Sequence, residues 1–405
     1  MNMLISISWR NVWRNRKRSI ILMIAVILGI STGLFVLAFY NGLIKQRLDN
    51  ALNTEVSHIQ IHTKEFKSEQ DIKEIIPHGM QVLTSVQQSS LVHHATGRLL
   101  IQGMLASSNG SKGVILNGVM PDEEQRVTRL KDKVAKGTYF SSESTNEIII
   151  SEVLAATLKV NINSKIVLTF QDTHNELISS AYRIIGLYKT SNGPYDEMNA
   201  FLPLQSIGES AGIKDGIHEI AILLKNPEEL YLPLNELRSL HSSLLIEDWK
   251  TISPELGITI SFGDQMVYVY MGIILLALAF GIINTMMMSV LERTREIGML
   301  AALGMNKVRL FIMILLETTF LIFAGCPLGL LLAAIIIFIT NKTGIELAML
   351  KATASNFGYD PIVHPIMRMH DVQITVMLII ITAIVSALLP AKKAISLIPV
   401  ESIKQ

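Results

Sequence analysis

TMMMSVLERTREIGMLAALGMNKVRLF, residues 285–311, joins two strongly apolar segments and decides how the rest of the chain is arranged. Its basic residues are Arg293, Arg295, Lys307 and Arg309. Ile297, Leu300 and Ala301 recur at positions i, i+3 and i+4, a spacing that predicts a short helix with one apolar side. We expect this side to press on a partner.

Signals for a helix end and a new helix start follow directly. Gly304 adopts a left-handed backbone at low steric cost, which favours a helix end. Asn306 is suited to cap the next helix, because its side chain accepts a hydrogen bond from a free backbone N–H. Residues 292–307 are therefore predicted to form a short helical segment between two long spans. Whatever displaces this segment is expected to displace both spans.

The composition is that of a membrane protein. Of the 405 residues, 50% are hydrophobic and 17% are charged, and the mean hydropathy is +0.41. The apolar residues are concentrated in four blocks, each long enough for a bilayer core about 30 Å thick. We predict transmembrane helices at 20–40, 265–291, 308–339 and 373–389, the first of them an uncleaved anchor.

The charges are segregated along the chain. Residues 41–264 contain 20 Lys and Arg against 27 Asp and Glu, whereas the remaining residues contain 15 and 7. Lys and Arg are enriched in the cytoplasmic loops of membrane proteins. We therefore predict that 1–19, 292–307 and the tail 390–405 are cytoplasmic, which places both termini in the cytoplasm. Residues 41–264 and the loop 340–372 would then lie outside.

The N-terminal segment has the pattern of an interfacial helix. Trp9 and Trp13 are four residues apart and share a helix face, and each is followed by an arginine, Arg10 or Arg14. Indole rings favour the headgroup depth of a bilayer, and cations face anionic lipid. We predict an elbow helix within 1–19; the alternative is a basic flank that only sets the topology.

Residues 41–264 are numerous enough to form a core of their own. Short apolar runs bounded by turn residues predict strands at 56–62, 98–105, 113–119, 147–151, 165–170, 181–188, 217–224 and 258–262. Helical patterns lie between them, at 71–89, 122–134, 152–160 and 227–245. The predicted fold class is an α-helical membrane protein with four transmembrane helices and a large α+β extracytoplasmic domain inserted between helices 1 and 2.

The sequence shows no pattern for catalysis or nucleotide binding. The phosphate-binding pattern G-x-x-x-x-G-K-[ST] is missing, so we expect no ATP site on this chain. No nucleophile-elbow motif accompanies its Ser, His and Asp residues. His58 and His62 share a strand face with Gln60, where we expect a solvated polar face and no metal site. We predict neither catalytic nor metal-binding residues.

Two polar side chains fall within the predicted spans. Glu317 lies inside the third span, where an unpaired carboxylate costs on the order of a few kcal/mol. It is either an energetic coupling or proton-handling residue or, as we favour, a structural group that hydrogen-bonds a neighbouring helix. Asn284, in the second span, is expected to hydrogen-bond between helices in the same way.

The first two spans also carry large aromatic and methionine side chains. Phe35, Phe39, Tyr268 and Met271 are candidates for a lipid groove, because methionine adapts to irregular apolar ligands. An ordinary lipid-facing or helix-packing surface explains these residues equally well.

Several stretches resemble the MacB/FtsX-like ABC permeases. SVLERTREIGMLAALGMNKVRL (289–310) is similar to their cytoplasmic coupling loop, WRNVWRNRKRS (9–19) to their N-terminal elbow, and PAKKAISLIPVESIK (390–404) to their C-terminal end. EIIISEVLAATLKVNINSKIVLTF (147–170) resembles part of a lobe inserted in their outer domain, which would span about 120–215 here. The order of the spans and the size of the outer domain look most like the lipoprotein-releasing permeases of the LolC and LolE type.

The resemblance implies contact surfaces. It implies a cytoplasmic ABC ATPase dimer that holds ATP and Mg, a second permease subunit that is identical or homologous, a lipoprotein substrate with a periplasmic carrier, and membrane lipid; no nucleic acid is implied. It places the chain in the bacterial inner membrane as a multi-pass protein. The residues implied to contact the ATPase form the coupling helix: Glu292, Arg293, Arg295, Glu296, Ile297, Gly298, Met299, Leu300, Leu303 and Gly304.

Three alternatives stay open at this stage. The charged residues of 292–307 also fit a solvated loop that sets topology. The chain also fits a regulatory or scaffolding permease whose outer domain controls an extracytoplasmic partner such as a cell-wall hydrolase. The third alternative is an efflux-type permease that transmits motion to a periplasmic adaptor.

Overall fold

The computed structural model describes residues 2–14, 16–69, 71–141, 146–227, 229–347 and 358–396. The chain folds as two compact units. We call the first the helical unit; it comprises Met1–Ile44, Ile260–Glu346 and Ile362–Gln405. We call the second the sheet unit; it comprises Lys45–Thr259 and Leu347–Pro361.

The helices and strands of the two units are numbered in chain order. The helices are α1 (Asn2–Arg14), α2 (Arg16–Ala51), α3 (Lys64–Glu69), α4 (Gly79–Gln87), α5 (Pro121–Thr128), α6 (Leu130–Lys133), α7 (Glu152–Leu158), α8 (Gly193–Met198), α9 (Leu204–Ala211), α10 (Tyr231–Leu240), α11 (Trp249–Ile252), α12 (Pro254–Glu292), α13 (Thr294–Ala302), α14 (Lys307–Thr343) and α15 (Met369–Ser396). The strands are β1 (Ile59–His62), β2 (Val92–Ser107), β3 (Gly110–Val119), β4 (Val134–Gly137), β5 (Glu147–Ser151), β6 (Lys165–Gln171), β7 (Leu177–Tyr188), β8 (Asn199–Pro203), β9 (Glu219–Leu224), β10 (Leu245–Asp248), β11 (Ile345–Glu346) and β12 (Ile362–Val363).

Four helices within the described residues are long and apolar enough to cross a membrane, by length and composition. They are α2 with the π-helical turn Leu52–Val56 that follows it, α12, α14 and α15. The 39 residues of α12 would measure about 58 Å at 1.5 Å per residue, which exceeds a bilayer core about 30 Å thick. The spans predicted at 20–40 and 265–291 are therefore parts of longer helices.

The strand predicted at 258–262 is wrong, because these residues belong to α12. Their alternating pattern of large apolar and small or polar residues is typical of a strand. Ile258 and Phe262 are nevertheless largely exposed, so no sheet covers the apolar face that the pattern requires. Pro254 begins α12 four residues earlier, a position at which proline favours a helix start.

The sheet unit is built on one ten-stranded sheet. The strand order is β10-β1-β9-β2-β3-β8-β5-β7-β4, and β6 pairs with both β2 and β7. Most pairs are antiparallel, whereas β3–β8 and β5–β7 are parallel. The predicted α+β class is confirmed. The short strands β4, β8 and β10 were not predicted from the sequence.

The long strand β2 organises the sheet. Its register with β3 runs from Arg98 opposite Val119 to Ser107 opposite Gly110, an antiparallel hairpin with a two-residue connection. Its first half pairs with β9 and its second half with β6. Two apolar clusters result, one under β2, β3 and β5 to β8, the other under β1, β9 and β10.

A buried ionic cluster lies beside β2. Arg98 donates from Nε and Nη2 to the two carboxylate oxygens of Glu124, at 3.0 and 2.8 Å, and from Nη1 to Glu219 at 2.7 Å. Burial alone would lower the pKa of Arg98, but the two carboxylates outweigh it and raise the pKa. The cluster fixes α5, β2 and β9 to one another.

The predicted outer loop 340–372 is divided between elements. α14 continues to Thr343, β11 pairs with β12, and α15 begins at Met369. Asp360 accepts hydrogen bonds from Gln46 (3.1 Å) and Asn50 (3.0 Å) of α2, so this part of the loop packs within the sheet unit. At the other end of the chain, the predicted tail is helical to Ser396, and 397–405 lie outside the described residues.

Candidate functional site

The candidate site is centred on α13 and the residues at its two ends. α12 ends at Glu292 and α13 begins at Thr294, so Arg293 alone joins them, with φ −102° and ψ 15°. At the other end Gly304 has φ +94°, which confirms the predicted left-handed turn. Asn306 caps α14 by accepting a hydrogen bond from the Arg309 N–H at 2.9 Å, as predicted. Helix α13 is therefore bounded by Arg293 at its N-terminal end and by the turn at Gly304 at its C-terminal end.

The two faces of α13 have different environments. Ile297 is buried, and Leu300 and Ala301 pack against the core of the helical unit. Met299 and Leu303 are 61% and 85% exposed. Ile297 is therefore covered by helices of the same chain, whereas Leu300 and Ala301 are only partly buried, and contact of this side with a partner stays a prediction. The more exposed surface is the opposite one, around Met299 and Leu303.

A guanidinium and two carboxylates connect α13 to α14. Arg293 Nη1 lies 3.1 and 3.2 Å from the two carboxylate oxygens of Glu317 on α14. Its Nε donates to Glu296 on α13 at 3.1 Å. Glu317 therefore hydrogen-bonds a neighbouring element, as favoured from the sequence, and its partner Arg293 is a cation outside the predicted spans. The role of Glu317 stays a prediction.

The network continues to the N-terminal helix. Asn11 of α1 donates to Glu317 at 2.7 Å, and Arg14 of α1 donates to Glu296. Three helices and the joint at Arg293 thus share one hydrogen-bonded chain, which we call the hinge network: Asn11, Arg14, Arg293, Glu296 and Glu317. Sequence reasoning missed it, because the members are separated by up to 306 positions.

The charges within the hinge network stabilise one another. Burial alone would lower the pKa of Arg293, but Glu317 and Glu296 outweigh it and raise the pKa. Burial alone would raise the pKa of Glu296, whereas its hydrogen bonds from Arg293 and Arg14 lower it. Both groups therefore remain charged near neutral pH.

A cavity of about 380 Å³ opens beside the hinge network. Its lining includes Asn11, Ser19, Ser289 and Glu292 as well as the paired charges. The lining is mostly polar, so water can occupy it. The network is therefore reachable by solvent on one side.

The predicted elbow is a helix, but α1 ends at Arg14 and α2 already begins at Arg16. Trp9 and Trp13 are half-exposed, with ring centroids 5.9 Å apart, and Trp9 also meets Phe320 of α14 edge-on at 5.5 Å. Arg10 is exposed. The exposed indoles and guanidinium fit a lipid-facing surface, whose membrane location stays a prediction.

The structure does not gather the four candidate groove residues into one pocket. Phe35 and Phe39 stack with centroids 6.5 Å apart. Met271 is buried, and its terminal methyl would lie 3.5 Å from a Cβ added to Gly33 of α2. Tyr268 is largely exposed. Met271 therefore contributes to helix packing, and the lipid groove stays a prediction.

One polar prediction is wrong, and another stays a prediction. Asn284 is exposed on α12, so a hydrogen bond from it to a further helix stays a prediction. His58 and His62 are buried, and the ring of Phe66 on α3 stacks on that of His62 with centroids 5.9 Å apart, so the face is covered and not solvated. His58 Nδ1 accepts a hydrogen bond from the Leu224 N–H at 2.8 Å, and burial lowers the pKa of His58 to about 4. Within the described residues no group of three or more His, Cys, Asp or Glu is placed to hold a metal ion.

Two protein-family models match the chain. The MacB-like periplasmic core domain matches residues 19–230, and the FtsX-like permease C-terminal domain matches residues 268–399. The first match contains nine of the ten strands of the sheet, β1 to β9, and the Arg98 cluster. The second contains α13, the joint at Arg293 and Glu317.

Curated relatives and a solved structure resemble the chain over large parts of its length. The lipoprotein-releasing system transmembrane protein LolC of Neisseria meningitidis is 20% identical, covering 96% of this chain and 95% of its own. The macrolide export ATP-binding/permease protein MacB of a Shewanella species is 22% identical, covering 84% of this chain and 53% of its own. The periplasmic region of MacB from Actinobacillus actinomycetemcomitans is 15% identical, with a TM-score of 0.37 over 52% of this chain and 97% of that region.

Proposed function

This chain belongs to the family of MacB/FtsX-like ABC transporter permeases, and we propose that it couples ATP hydrolysis on a separate ATPase to the release of lipoproteins from the inner membrane. The family and the four apolar helices make it a multi-pass inner-membrane protein. ATP and Mg would be held by the partner ATPase dimer, which acts with a second permease subunit, identical or homologous to this chain.

The observation that carries the proposal is the extent of the alignment with the LolC relative. The LolC relative aligns over 96% of this chain and 95% of its own length, so the helical unit and the sheet unit both have counterparts there. The MacB relative aligns over only 53% of its length. The shared arrangement therefore favours a lipoprotein as cargo, handed to a periplasmic carrier, over an efflux substrate.

The exposed side of α13 supports the coupling role. Met299 and Leu303 present apolar surface on the same helix as the exposed Arg295. A short helix with such a side fits a groove on a partner protein. We place this helix, α1 and both termini on the cytoplasmic side, because these segments are rich in Lys and Arg, as cytoplasmic segments of membrane proteins are.

Purification of the full-length protein in a mild detergent tests the proposal, with mass spectrometry of what accompanies it. We expect an ABC ATPase, a permease subunit and a lipid-modified protein. Release of lipoprotein from purified vesicles that contain no ATPase would overturn the proposal. Recovery of a cell-wall hydrolase in place of lipoprotein would instead support the regulatory alternative.

The substitution Leu303→Asp tests the partner surface. A charge at an exposed apolar anchor of an interface weakens binding by at least about tenfold, so we expect the ATPase to be lost during purification. Leu240→Asp is the matched control, because Leu240 is also an exposed leucine but lies on α10 of the sheet unit. Equal ATPase recovery with both variants would contradict the assignment of this surface.

A further inference from the structure

We propose that Arg293 and Glu317 form a pivot. Helix α13 rotates about Arg293, and the contact of Arg293 with Glu317 passes this motion to α14. The inference rests on the proposed function, since it assumes that a partner ATPase moves α13. It assigns a positioning role to a pair of residues that lies away from the partner surface at Met299 and Leu303.

The backbone at Arg293 has the character of a joint. A single residue separates α12 from α13, and its φ of −102° and ψ of 15° lie near the sparsely populated bridge between the helical and extended regions. The carbonyl of this residue accepts a backbone hydrogen bond from the first turn of α13, since the Ile297 N–H donates to it at 2.9 Å. A rotation of α13 against α12 is therefore concentrated at one residue.

The side chain at that joint is held by a different helix. Both carboxylate oxygens of Glu317 face Arg293 Nη1 within 3.2 Å. Glu317 is ten residues beyond the first residue of α14, or about 15 Å along its axis. The joint between α12 and α13 is thus connected to the interior of α14, and not only to the turn at residues 303–306.

Burial divides the hinge network into a strong and a weak part. The Arg293 and Glu317 side chains are 14% and 8% exposed, whereas those of Glu296 and Arg14 are 42% and 56% exposed. Removing one partner of a buried pair leaves an uncompensated charge, which is costly, whereas exposed pairs exchange readily with water. The Arg293–Glu317 pair is therefore expected to persist while the contacts of Glu296 change.

The other end of α13 is less enclosed, although Leu300 and Ala301 pack against the core of the helical unit. Apart from its chain neighbours, no described residue lies within 4 Å of a Cβ built on Gly304, and Leu303 is 85% exposed. A force on the exposed side of α13 would then move its C-terminal end further than its N-terminal end. Rotation about Arg293 pulls on Glu317, and through it on α14.

The substitution Glu317→Gln, made in the full permease with its ATPase in vesicles, tests the pivot. The measured quantity is lipoprotein released per ATP hydrolysed, with ATPase co-purification measured in parallel. We expect normal ATPase binding and a release ratio lowered by about tenfold, within the range of coupling energies that single residues change. Thr319→Val is the control on α14, because the Thr319 hydroxyl donates to the Leu315 carbonyl of its own helix.

A charge exchange separates positioning from a general loss of structure. In the double variant Arg293→Glu with Glu317→Arg, the pair is restored with reversed polarity, and we expect the release ratio to recover relative to Glu317→Gln. An unchanged ratio in Glu317→Gln overturns the pivot while leaving the proposed function intact. Loss of ATPase binding in step with release, without recovery in the double variant, also overturns it. Failure of the unsubstituted protein to couple release to ATP would instead overturn the proposed function.

Discussion

Arg98 and Arg293 each bind two carboxylates, and the two arginines differ in what surrounds them. Arg98 holds Glu124 and Glu219 inside the sheet unit, where the three side chains are 7%, 0% and 7% exposed. Arg293 holds Glu317 and Glu296 in the helical unit, where Glu296 is 42% exposed and a cavity reaches the network. The same chemical group is therefore enclosed in one place and open to water on one side in the other.

This difference separates a structural cluster from one that can rearrange. All three members of the Arg98 cluster lie on elements of one unit that are also joined by the strand register of β2 and β9. In the hinge network, by contrast, Arg293 is itself the single residue between α12 and α13. We infer that breaking the first destabilises the fold, whereas breaking the second alters how motion is transmitted.

The largest effect is expected for Arg98→Ala. Removal of the guanidinium leaves Glu124 and Glu219 buried without their cation, which costs about 3–5 kcal/mol of unfolding free energy. The measurement is proteolysis of the transiently unfolded sheet unit across a urea series in detergent. Secondary-structure content at low urea serves to show that the variant folds before it is compared.

Arg129→Ala is the matched control for this experiment. Arg129 also pairs with an acidic residue, Asp132, but the two side chains are 71% and 50% exposed. Such a pair contributes about 0–1 kcal/mol. If the two arginine variants unfolded at the same urea concentration, the Arg98 cluster would not have the structural role inferred from its burial.

Acid sensitivity is the next expected effect and depends on His58. Its pKa is about 4 in the folded protein because of burial, against 6.5 for the free side chain. Between these values the unfolded state binds the proton, so unfolding free energy falls as pH is lowered from about 6.5 to about 4. The loss amounts to on the order of 3 kcal/mol below that window.

The variant His58→Asn isolates this contribution. An asparagine side-chain oxygen can accept the Leu224 N–H hydrogen bond but does not titrate in this range. The difference in unfolding free energy between the original protein and the variant should therefore shift in favour of the variant as pH falls from 6.5 to 4. Parallel pH profiles for the two proteins would show that His58 is not responsible.

His58 also illustrates what the sequence could not reveal. Its alternation with Ile59 predicts a strand correctly, but burial of both strand faces depends on α-helices and strands distant in the chain. Gly304 and Asn306 were predictable, because a left-handed turn and a helix cap are set by adjacent residues. The four spans were predictable for the same reason: an apolar run is a local property.

The hinge network shows the same limit at the candidate site. The sequence identified Arg293, Glu296 and Glu317 separately, and it placed Glu317 among apolar residues without a cation. The Arg293–Glu317 pair spans 24 positions and forms only because α12, α13 and α14 pack together. Likewise, periodicity correctly found an apolar side on α13, but it could not say that the side faces the same chain.

The smallest effect is expected for Arg14→Ala. Arg14 and Glu296 are both substantially exposed, so loss of their contact should change unfolding free energy by about 1 kcal/mol or less. Glu296 keeps its hydrogen bond from Arg293, and the Arg293–Glu317 pair is not touched. The release ratio should therefore fall less than with Glu317→Gln, and high salt should reduce the difference from the original protein further, because salt screens exposed charges. The measurement is release per ATP at two salt concentrations; a loss as large as that of Glu317→Gln would mean that the exposed contact, and not the buried pair, transmits the motion of α13.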